Sequence, residues 1–194
     1  MRDEVLAALD DAAELLRSLG HGVARENPSY GLAGNRITTR YLAGIHVDVE
    51  AVPRPERLER RTLGFGRLGG LYPRWAIERA RRAEAADAVR INRIFERYDV
   101  LVSPVAGELP FEVGRWNGAS ALRTLIGMSR TFGFTAAWNH TGQPALALPM
   151  GLSPEGLPRS VQLVGRPNDE ATLISLAAQI EAERPWADRR PPVS

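Results

Sequence analysis

Apolar residues recur at intervals of three and four over much of this chain, and that spacing predicts amphipathic helices. The first stripe runs from Asp3 to Leu19, where Gly20 is expected to end the helix because glycine is favoured just past a helix terminus. A last helix is expected after Asp169, a residue that can cap its N-terminus, with Ile174 among its inward-facing side chains. Between them, further helical patterns cover residues 31–52, 56–68, 73–97 and 119–130.

Short apolar runs bounded by glycine or proline predict buried strands. Residues 99–103, Asp-Val-Leu-Val-Ser, are rich in β-branched side chains and are expected to form a parallel strand. Residues 144–149 and 160–165 flank a Ser-Pro-Glu-Gly reversal, which predicts a hairpin at the centre of a sheet. A further strand is plausible at residues 22–27.

Helices interspersed with short buried strands are typical of an α/β fold, here with a mixed sheet flanked by helices. A chain of 194 residues is long enough for one domain. We expect that domain to cover residues 1–188 and to be followed by a frayed, proline-containing tail at residues 189–194.

Composition removes several classes of site and partner. The chain has no cysteine, which excludes disulfides, thiolate nucleophiles and cysteine-based metal sites. Its net charge of +2 gives little reason to expect a nucleic-acid partner. No apolar run approaches the roughly 20 residues that cross a bilayer, and the N-terminal segment is amphipathic rather than uniformly apolar. We therefore expect a cytoplasmic protein with no membrane partner.

Every one of the 25 basic residues is arginine, and the chain contains no lysine. Arginine stays protonated at any accessible pH, so it binds anions and stacks on aromatic rings but does not act as a general base. A mechanism in which lysine takes a proton is therefore impossible within this chain.

Two further motifs favour ordinary structural interpretations. Residues 64–69, Gly-Phe-Gly-Arg-Leu-Gly, match the letters of the dinucleotide-binding fingerprint. A charged helical run rather than a strand precedes them, so we expect a flexible connection broken by glycines. The histidines His21, His46 and His140 lie in separate segments, which argues against a metal site or a conventional Ser-His pair. His140 stays a weak catalytic candidate because it lies at the entry to the predicted hairpin.

The segment from Asn139 to Gly165, NHTGQPALALPMGLSPEGLPRSVQLVG, closely resembles the C-terminal part of the amidase signature family, serine amide hydrolases with an α/β fold. In that family, Asn-x-Thr-Gly-x-Pro-Ala leads into a core strand beside the active site. Residues 162–170, followed by an apolar-periodic helix, are similar to the way members usually end. The resemblance covers nearly the whole chain, strongly after Tyr98 and loosely before it. It implies hydrolysis of a carboxamide to a carboxylate and ammonia or an amine, and it implies no metal and no organic cofactor.

The resemblance also implies a substrate pocket. The residues that match it are Ser103, Pro104, Phe132, Trp138, Asn139, Thr141, Gly142 and Gln143. Ser103 and Pro104 correspond to the strand-ending Thr/Ser-Pro of the family, at the carboxyl end of a strand, where α/β sheets hold ligands.

The remaining matches lie before and within the hairpin entry. Phe132 and Trp138 are on the segment that borders the acyl pocket in the family, with a place in the core as an equal alternative. Asn139, Thr141 and Gly142 are expected to set a tight turn that presents backbone groups towards the site.

The family's catalytic core has no counterpart in this sequence. In the family, a glycine- and serine-rich loop carries the nucleophilic serine and a second, cis-bonded serine, and an upstream lysine acts as the base. This chain has no Ser-Ser pair and no lysine. A serine hydroxyl is a weak nucleophile until a neighbour removes its proton. We therefore assign no catalytic residue and expect the chain to be inactive alone, contributing sheet and pocket walls to an amidase.

Three explanations stay open. In the first, the chain is the C-terminal piece of an amidase, which arose from a truncated gene, a split enzyme or a misplaced start codon. In the second, it is a non-catalytic subunit or scaffold that kept the fold. In the third, it is an unrelated small-molecule enzyme with a similar α/β fold. In the first case the chain would bind a small-molecule amide substrate only when an N-terminal amidase half completes the enzyme. A strand that is apolar on both faces is normally buried on both sides of its sheet. Without the N-terminal half, one face and one edge of the sheet would be exposed to solvent, which would favour homo-oligomers.

Overall fold

The computed structural model describes residues 3–188, which form eight α-helices and three β-strands. The helices are α1 Asp3–Ser18, α2 Ala33–Ala51, α3 Arg60–Gly70, α4 Arg74–Arg82, α5 Glu84–Asn92, α6 Ala121–Phe132, α7 Ala136–Thr141 and α8 Glu170–Glu183. The strands are β1 Leu101–Pro104, β2 Ala145–Leu152 and β3 Pro158–Val164. Short 3-10 turns cover Pro55–Arg57 and Arg93–Glu96.

The chain divides into two compact units. The first joins three separate stretches, Met1–Asn27, Ile94–Pro110 and Gly142–Ser194, as far as the structure describes them, and holds the sheet with α1 and α8. The second consists of Pro28–Arg93 and Phe111–Thr141 and is helical. The expectation of one domain over residues 1–188 stays a prediction, and the expected frayed tail at residues 189–194 lies outside the described residues.

The sheet of the first unit has the order β1-β3-β2 with antiparallel pairing throughout. The predicted hairpin is confirmed as β2 and β3, and the α/β class is confirmed by the sheet with its flanking helices. The expectation that residues 99–103 form a parallel strand is wrong, because β1 pairs antiparallel with β3. An apolar run shows that a strand is covered but not which way its neighbour runs. Residues 22–27 form no strand.

The core of the first unit lies on one face of the sheet. Since successive side chains of a strand point to opposite faces, Leu148 with Met150 and Val161 with Leu163 share a face. These four side chains are buried against α1 and α8. The residues that the helices contribute are Ala8, Ala12, Leu15, Leu16, Leu173 and Ile180. Ile174 is 59% exposed, so its expected inward orientation is wrong.

The opposite face of β2 is open to solvent. Ala145, Ala147 and Pro149 alternate with the core residues of this strand, and all three are exposed. Within the described residues β2 is also an edge strand, because β3 pairs with it on one side only. The first unit therefore presents an apolar strand surface with an unpaired edge.

Close packing of α2 against α3 organises the second unit. Gly66 and Gly69 of α3 are buried, and a Cβ atom added at Gly69 would lie 2.0 Å from the carbonyl oxygen of Leu42 in α2. Glycine in a helix interior is destabilising by about 1 kcal/mol relative to alanine. Here it permits the two helices to approach more closely than a side chain would allow. The expected flexible connection broken by glycines is therefore wrong. Tertiary contact outweighs the local preference.

Two other expected elements differ from those observed. The single helix expected over residues 73–97 is divided into α4 and α5 around Ala83 and closes with a 3-10 turn. The segment expected to form a tight turn before the hairpin contains the helix α7, which buries Ala137, Trp138 and His140. Residues 105–117 form a loop of bends and turns.

Candidate functional site

Ser103 and Pro104 end β1 and lie opposite β3 in the first unit. Ser103 pairs with Gln162 in the strand register and is partly exposed, whereas Pro104 is buried. The side-chain amide nitrogen of Gln162 donates to the Ser103 Oγ at 2.9 Å and to the Pro104 carbonyl oxygen at 3.0 Å. Gln162 is only 3% exposed, so these two hydrogen bonds hold the end of β1 from within the protein.

The surroundings of Ser103 do not activate it as a nucleophile. Its hydroxyl accepts a hydrogen bond from an amide and lies 3.5 Å from the Pro104 carbonyl oxygen. Neither an amide N–H nor a carbonyl oxygen acts as a base towards a serine proton, and activation requires a base. The geometry suits a hydroxyl that binds a ligand.

Four candidates lie at the hairpin entry, within residues 139–143, and secondary structure divides them. Asn139 and Thr141 belong to α7, and the Thr141 hydroxyl donates to the Ala137 carbonyl oxygen at 2.8 Å. The tight turn begins one residue later at Gly142, whose φ of 75° favours glycine. The expectation that Asn139 and Thr141 set this turn is therefore wrong. Gly142 does set the turn, as expected. Gln143 is buried at 7% exposure, in the first unit with Gly142.

The two aromatic candidates lie in different environments of the second unit. Trp138 is 3% exposed and its ring centroid lies 6.1 Å from that of Tyr30. Its indole nitrogen has no hydrogen-bond acceptor among the described residues. Trp138 is thus packed in the interior. Phe132, the last residue of α6, is 41% exposed.

Phe132 belongs to an aromatic cluster with Phe111 and Trp116. Phe111 meets Phe132 edge-on at a centroid distance of 6.4 Å and Trp116 at 6.3 Å. The Arg115 guanidinium lies 5.2 Å and 5.0 Å from the ring centroids of Phe111 and Trp116, within cation–π range. Trp116 packs directly over Gly127 of α6, where an added Cβ would lie 1.8 Å from the indole ring. The cluster presents partly exposed apolar rings beside a positive charge.

A buried carboxylate organises the charged groups of the second unit. Asp87 of α5 is 0% exposed, and its Oδ1 accepts hydrogen bonds from Arg36 of α2 and from Arg90. Its Oδ2 lies 3.1 Å from His140 Nε2. Arg90 also donates to the backbone oxygen of Ser29 at 3.2 Å. A buried charge is tolerated only when it is paired and hydrogen-bonded, and Asp87 meets both conditions.

The same contacts determine the role of His140. Its Nδ1 lies 3.0 Å from a guanidinium nitrogen of Arg40, which can only donate, so Nδ1 accepts. The ring proton therefore lies on Nε2 and is donated to Asp87. Both ring nitrogens are used and the side chain is 2% exposed. His140 lacks the free nitrogen that a catalytic base needs, and its role is structural.

The ionisation of Asp87 follows from this environment. Burial alone would raise the pKa of its carboxyl group, but hydrogen bonds from Arg36, His140 and Arg90 and the charge of Arg36 stabilise the anion. The net result is a pKa below the ordinary value. Asp87 is thus a carboxylate throughout the neutral range.

Sequence reasoning missed Gln162 and Asp87 as organising residues, although each left a signal. Asp87 lies seven residues after Ala80 and four before Ile91, on the apolar face of its helical pattern. Gln162 interrupts the buried run Val161–Val164. A single polar residue in an apolar pattern indicates a buried group that must find partners.

Neither a metal centre nor a membrane span was found in the part of the chain that the structure describes. Residues 3–188 contain no cluster of three or more histidine or acidic side chains able to hold a metal ion. The helices within those residues are too short or too polar to cross a bilayer.

Comparison with known proteins decides the family. A family model described as Amidase matches residues 1–174. This chain belongs to the amidase family. Its curated relatives include the proposed amidase AmiB2 of Mycobacterium tuberculosis, 44% identical over 190 residues, which are 97% of this chain and 41% of that relative. The proposed amidase AmiA2 of the same species is 34% identical over the whole chain and 40% of its own length.

Two solved structures that share the fold illustrate the likeness. A 6-aminohexanoate cyclic dimer hydrolase complexed with its substrate has a TM-score of 0.77 and 27% identity, covering 99% of this chain and 44% of that one. A bacterial aryl acylamidase of the amidase signature family has a TM-score of 0.74 at 16% identity, covering 98% and 44%. The chain thus spans about two fifths of the length of the amidases it matches, which agrees with the expected resemblance to the C-terminal portion of the family.

Proposed function

We propose that this chain is a part of an amidase that hydrolyses the C–N bond of a carboxamide, and that it contributes sheet and substrate-pocket walls rather than the nucleophile. The observation that carries the proposal is the environment of Ser103. Its hydroxyl is held by the Gln162 amide at 2.9 Å, and no base within residues 3–188 contacts it to accept its proton. The chain belongs to the amidase family and contains no lysine.

The proposed wall residues form one set in each unit, and each set is proposed by itself. In the first unit they are Ser103, Pro104, Gly142 and Gln143, and in the second unit they are Phe132, Trp138, Asn139 and Thr141. The partly exposed Phe132 with its aromatic neighbours supports an apolar wall. The partly exposed hydroxyl of Ser103 supports a polar one.

Complementation tests the function directly. The purified chain is assayed for ammonia release from simple aliphatic and aromatic amides, alone and after co-expression with the portion of M. tuberculosis AmiB2 that precedes the matched region. We expect no turnover from the chain alone and restored turnover from the complex. Turnover by the chain alone would overturn the assignment of the nucleophile to another segment.

A complex that forms without turning over any amide would instead favour the non-catalytic subunit or scaffold. The cytoplasmic location and the single domain over residues 1–188 are further parts of this proposal. Cell fractionation tests the location, and a single cooperative unfolding transition would support the single domain.

A further inference from the structure

We infer that Gln162 is a positioning residue that turns the Ser103 hydroxyl into a hydrogen-bond donor for the acyl portion of an amide substrate. This inference rests on the proposed function, because it assigns a role within the same pocket. It concerns the direction of one hydrogen bond, which decides the kind of ligand group that Ser103 binds.

The direction follows from the donor inventory of Gln162. An amide nitrogen carries two hydrogens and accepts none, so both contacts of Gln162 Nε2 are donations. One hydrogen goes to Ser103 Oγ at 2.9 Å and the other to the Pro104 carbonyl oxygen at 3.0 Å. The assignment of nitrogen and oxygen within the amide agrees with the acceptors, since the Pro104 carbonyl can only accept.

The Ser103 hydroxyl proton is thereby directed elsewhere. Hydroxyl hydrogen bonds to oxygen are usually 2.5–3.0 Å long, and the Pro104 carbonyl is 3.5 Å away and already accepts from Gln162. Because the side chain of Ser103 is partly exposed, its proton is accessible to a ligand. The group it suits is an acceptor, such as a carbonyl oxygen or a carboxylate on the acyl portion of the substrate.

The strand register keeps this arrangement rigid. Gln162 lies on the central strand, opposite Ser103 on one side and Ala147 on the other. It is 3% exposed, so its side chain has little freedom to turn. Ala147, on the same row, is small and exposed and leaves room for a ligand beside the hydroxyl.

Reversing the hydrogen bond tests the inference. In Gln162→Glu, a side chain of the same length offers an oxygen that accepts the Ser103 proton, so the hydroxyl turns inward. In the complemented enzyme we expect KM to rise about 3- to 10-fold with kcat unchanged, because binding is lost equally from substrate and transition state. Ser103→Ala should give the same change, and Ser103→Thr, which keeps the hydroxyl, should restore most of the affinity.

The double variant separates positioning from folding. If Gln162 acts through Ser103, then Ser103→Ala with Gln162→Glu raises KM no further than Ser103→Ala alone. If the increase in KM of the double variant equals the product of the two single-variant increases, the inference is overturned. If the buried glutamate prevents folding, Gln162→Met, which is uncharged and of similar size, takes the place of Gln162→Glu in this comparison. Gln179→Glu, at an exposed site on α8, is the matched control and should leave KM unchanged.

A second measurement uses the chain alone and does not depend on activity. In a ¹H–¹⁵N spectrum the Gln162 side-chain amide should show two slowly exchanging protons, and Ser103→Ala should shift one of them. Rapid exchange of both protons would overturn the hydrogen-bond geometry. No turnover by any complex would overturn the proposed function and the ligand assignment with it, whereas turnover with an unchanged KM in Ser103→Ala would overturn this inference alone.

Discussion

His140 Nε2 lies 3.1 Å from Asp87 Oδ2, although 53 residues separate the two in the sequence. The contact ties α7 to α5 in the second unit, and α7 carries three of the proposed pocket residues. Since Asp87 is fully buried and also accepts from Arg36 and Arg90, its carboxylate is the meeting point of three segments of this unit.

Removal of this carboxylate should destabilise the protein strongly. Asp87→Ala leaves the buried His140 ring and the partly buried Arg36 and Arg90 without their acceptor. Breaking a buried charged pair from one side costs about 3–5 kcal/mol. We expect a loss of that order in the free energy of unfolding, measured by urea denaturation. The matched control is Asp10→Ala, which removes an exposed pair with Arg25 at 3.8 Å and should cost less than about 1 kcal/mol. Equal effects of the two variants would contradict the central role of Asp87.

Asp87 should also make the protein sensitive to acid. Its pKa in the folded state is depressed from the ordinary 3.8, so its contribution to stability is complete well above pH 3.8 and is lost as the pH falls through the lower folded value. The free energy of unfolding of the unmodified chain should therefore fall with decreasing pH below about 4 more steeply than that of Asp87→Asn. Urea denaturation at a series of pH values from 6 down to 3 measures both slopes. Parallel curves would show that Asp87 is not the group that titrates.

The glycines of α3 should behave differently from an open glycine of α2. Gly69→Ala places a methyl group against the Leu42 backbone, which can relieve the clash only if the helices separate, so we expect a loss of about 1–3 kcal/mol or more. Gly44 in α2 has no heavy atom within 4 Å of an added Cβ. Gly44→Ala should therefore stabilise the protein by up to about 1 kcal/mol through helix propensity. Thermal unfolding compares the two, and a stabilised Gly69→Ala would refute the close packing of α2 on α3.

The open surface of β2 should make the isolated chain associate. Ala145, Ala147 and Pro149 are exposed on this edge strand, and an exposed apolar edge is a template for pairing with a second copy. Static light scattering of the purified chain should show concentration-dependent oligomers. Ala147→Lys places a charge on that surface and should shift the chain towards monomer, while Ala85→Lys, at an exposed site on α5, should not. A stable monomer at all concentrations would refute the proposed homo-oligomer.

The local patterns of the sequence predicted most of the elements but not all of their partners. The stripe from Asp3 and the Ser-Pro-Glu-Gly reversal correctly predicted α1 and the β2–β3 hairpin, since both are properties of neighbouring residues. The direction of β1 and the continuity of α3 through its glycines were predicted wrongly. Each depends on a segment distant in the chain, β3 for the first and α2 for the second.

In the candidate site, too, local features could be predicted from the sequence and distant contacts could not. The motif around Asn139 and the pair Ser103-Pro104 were visible in the sequence because motifs are local. The partners that give those residues their chemistry were not visible, since Gln162 reaches Ser103 across 59 positions and Asp87 reaches His140 across 53.

By itself, the sequence determined the α/β class, the family and the absence of a lysine base, because composition, periodicity and motifs require no knowledge of distant contacts. Only the tertiary structure decided that Ser103 faces an amide donor and that His140 is held between Asp87 and Arg40. The physical reason is that the direction of a hydrogen bond and the state of a buried charge depend on the groups that folding brings within about 3 Å.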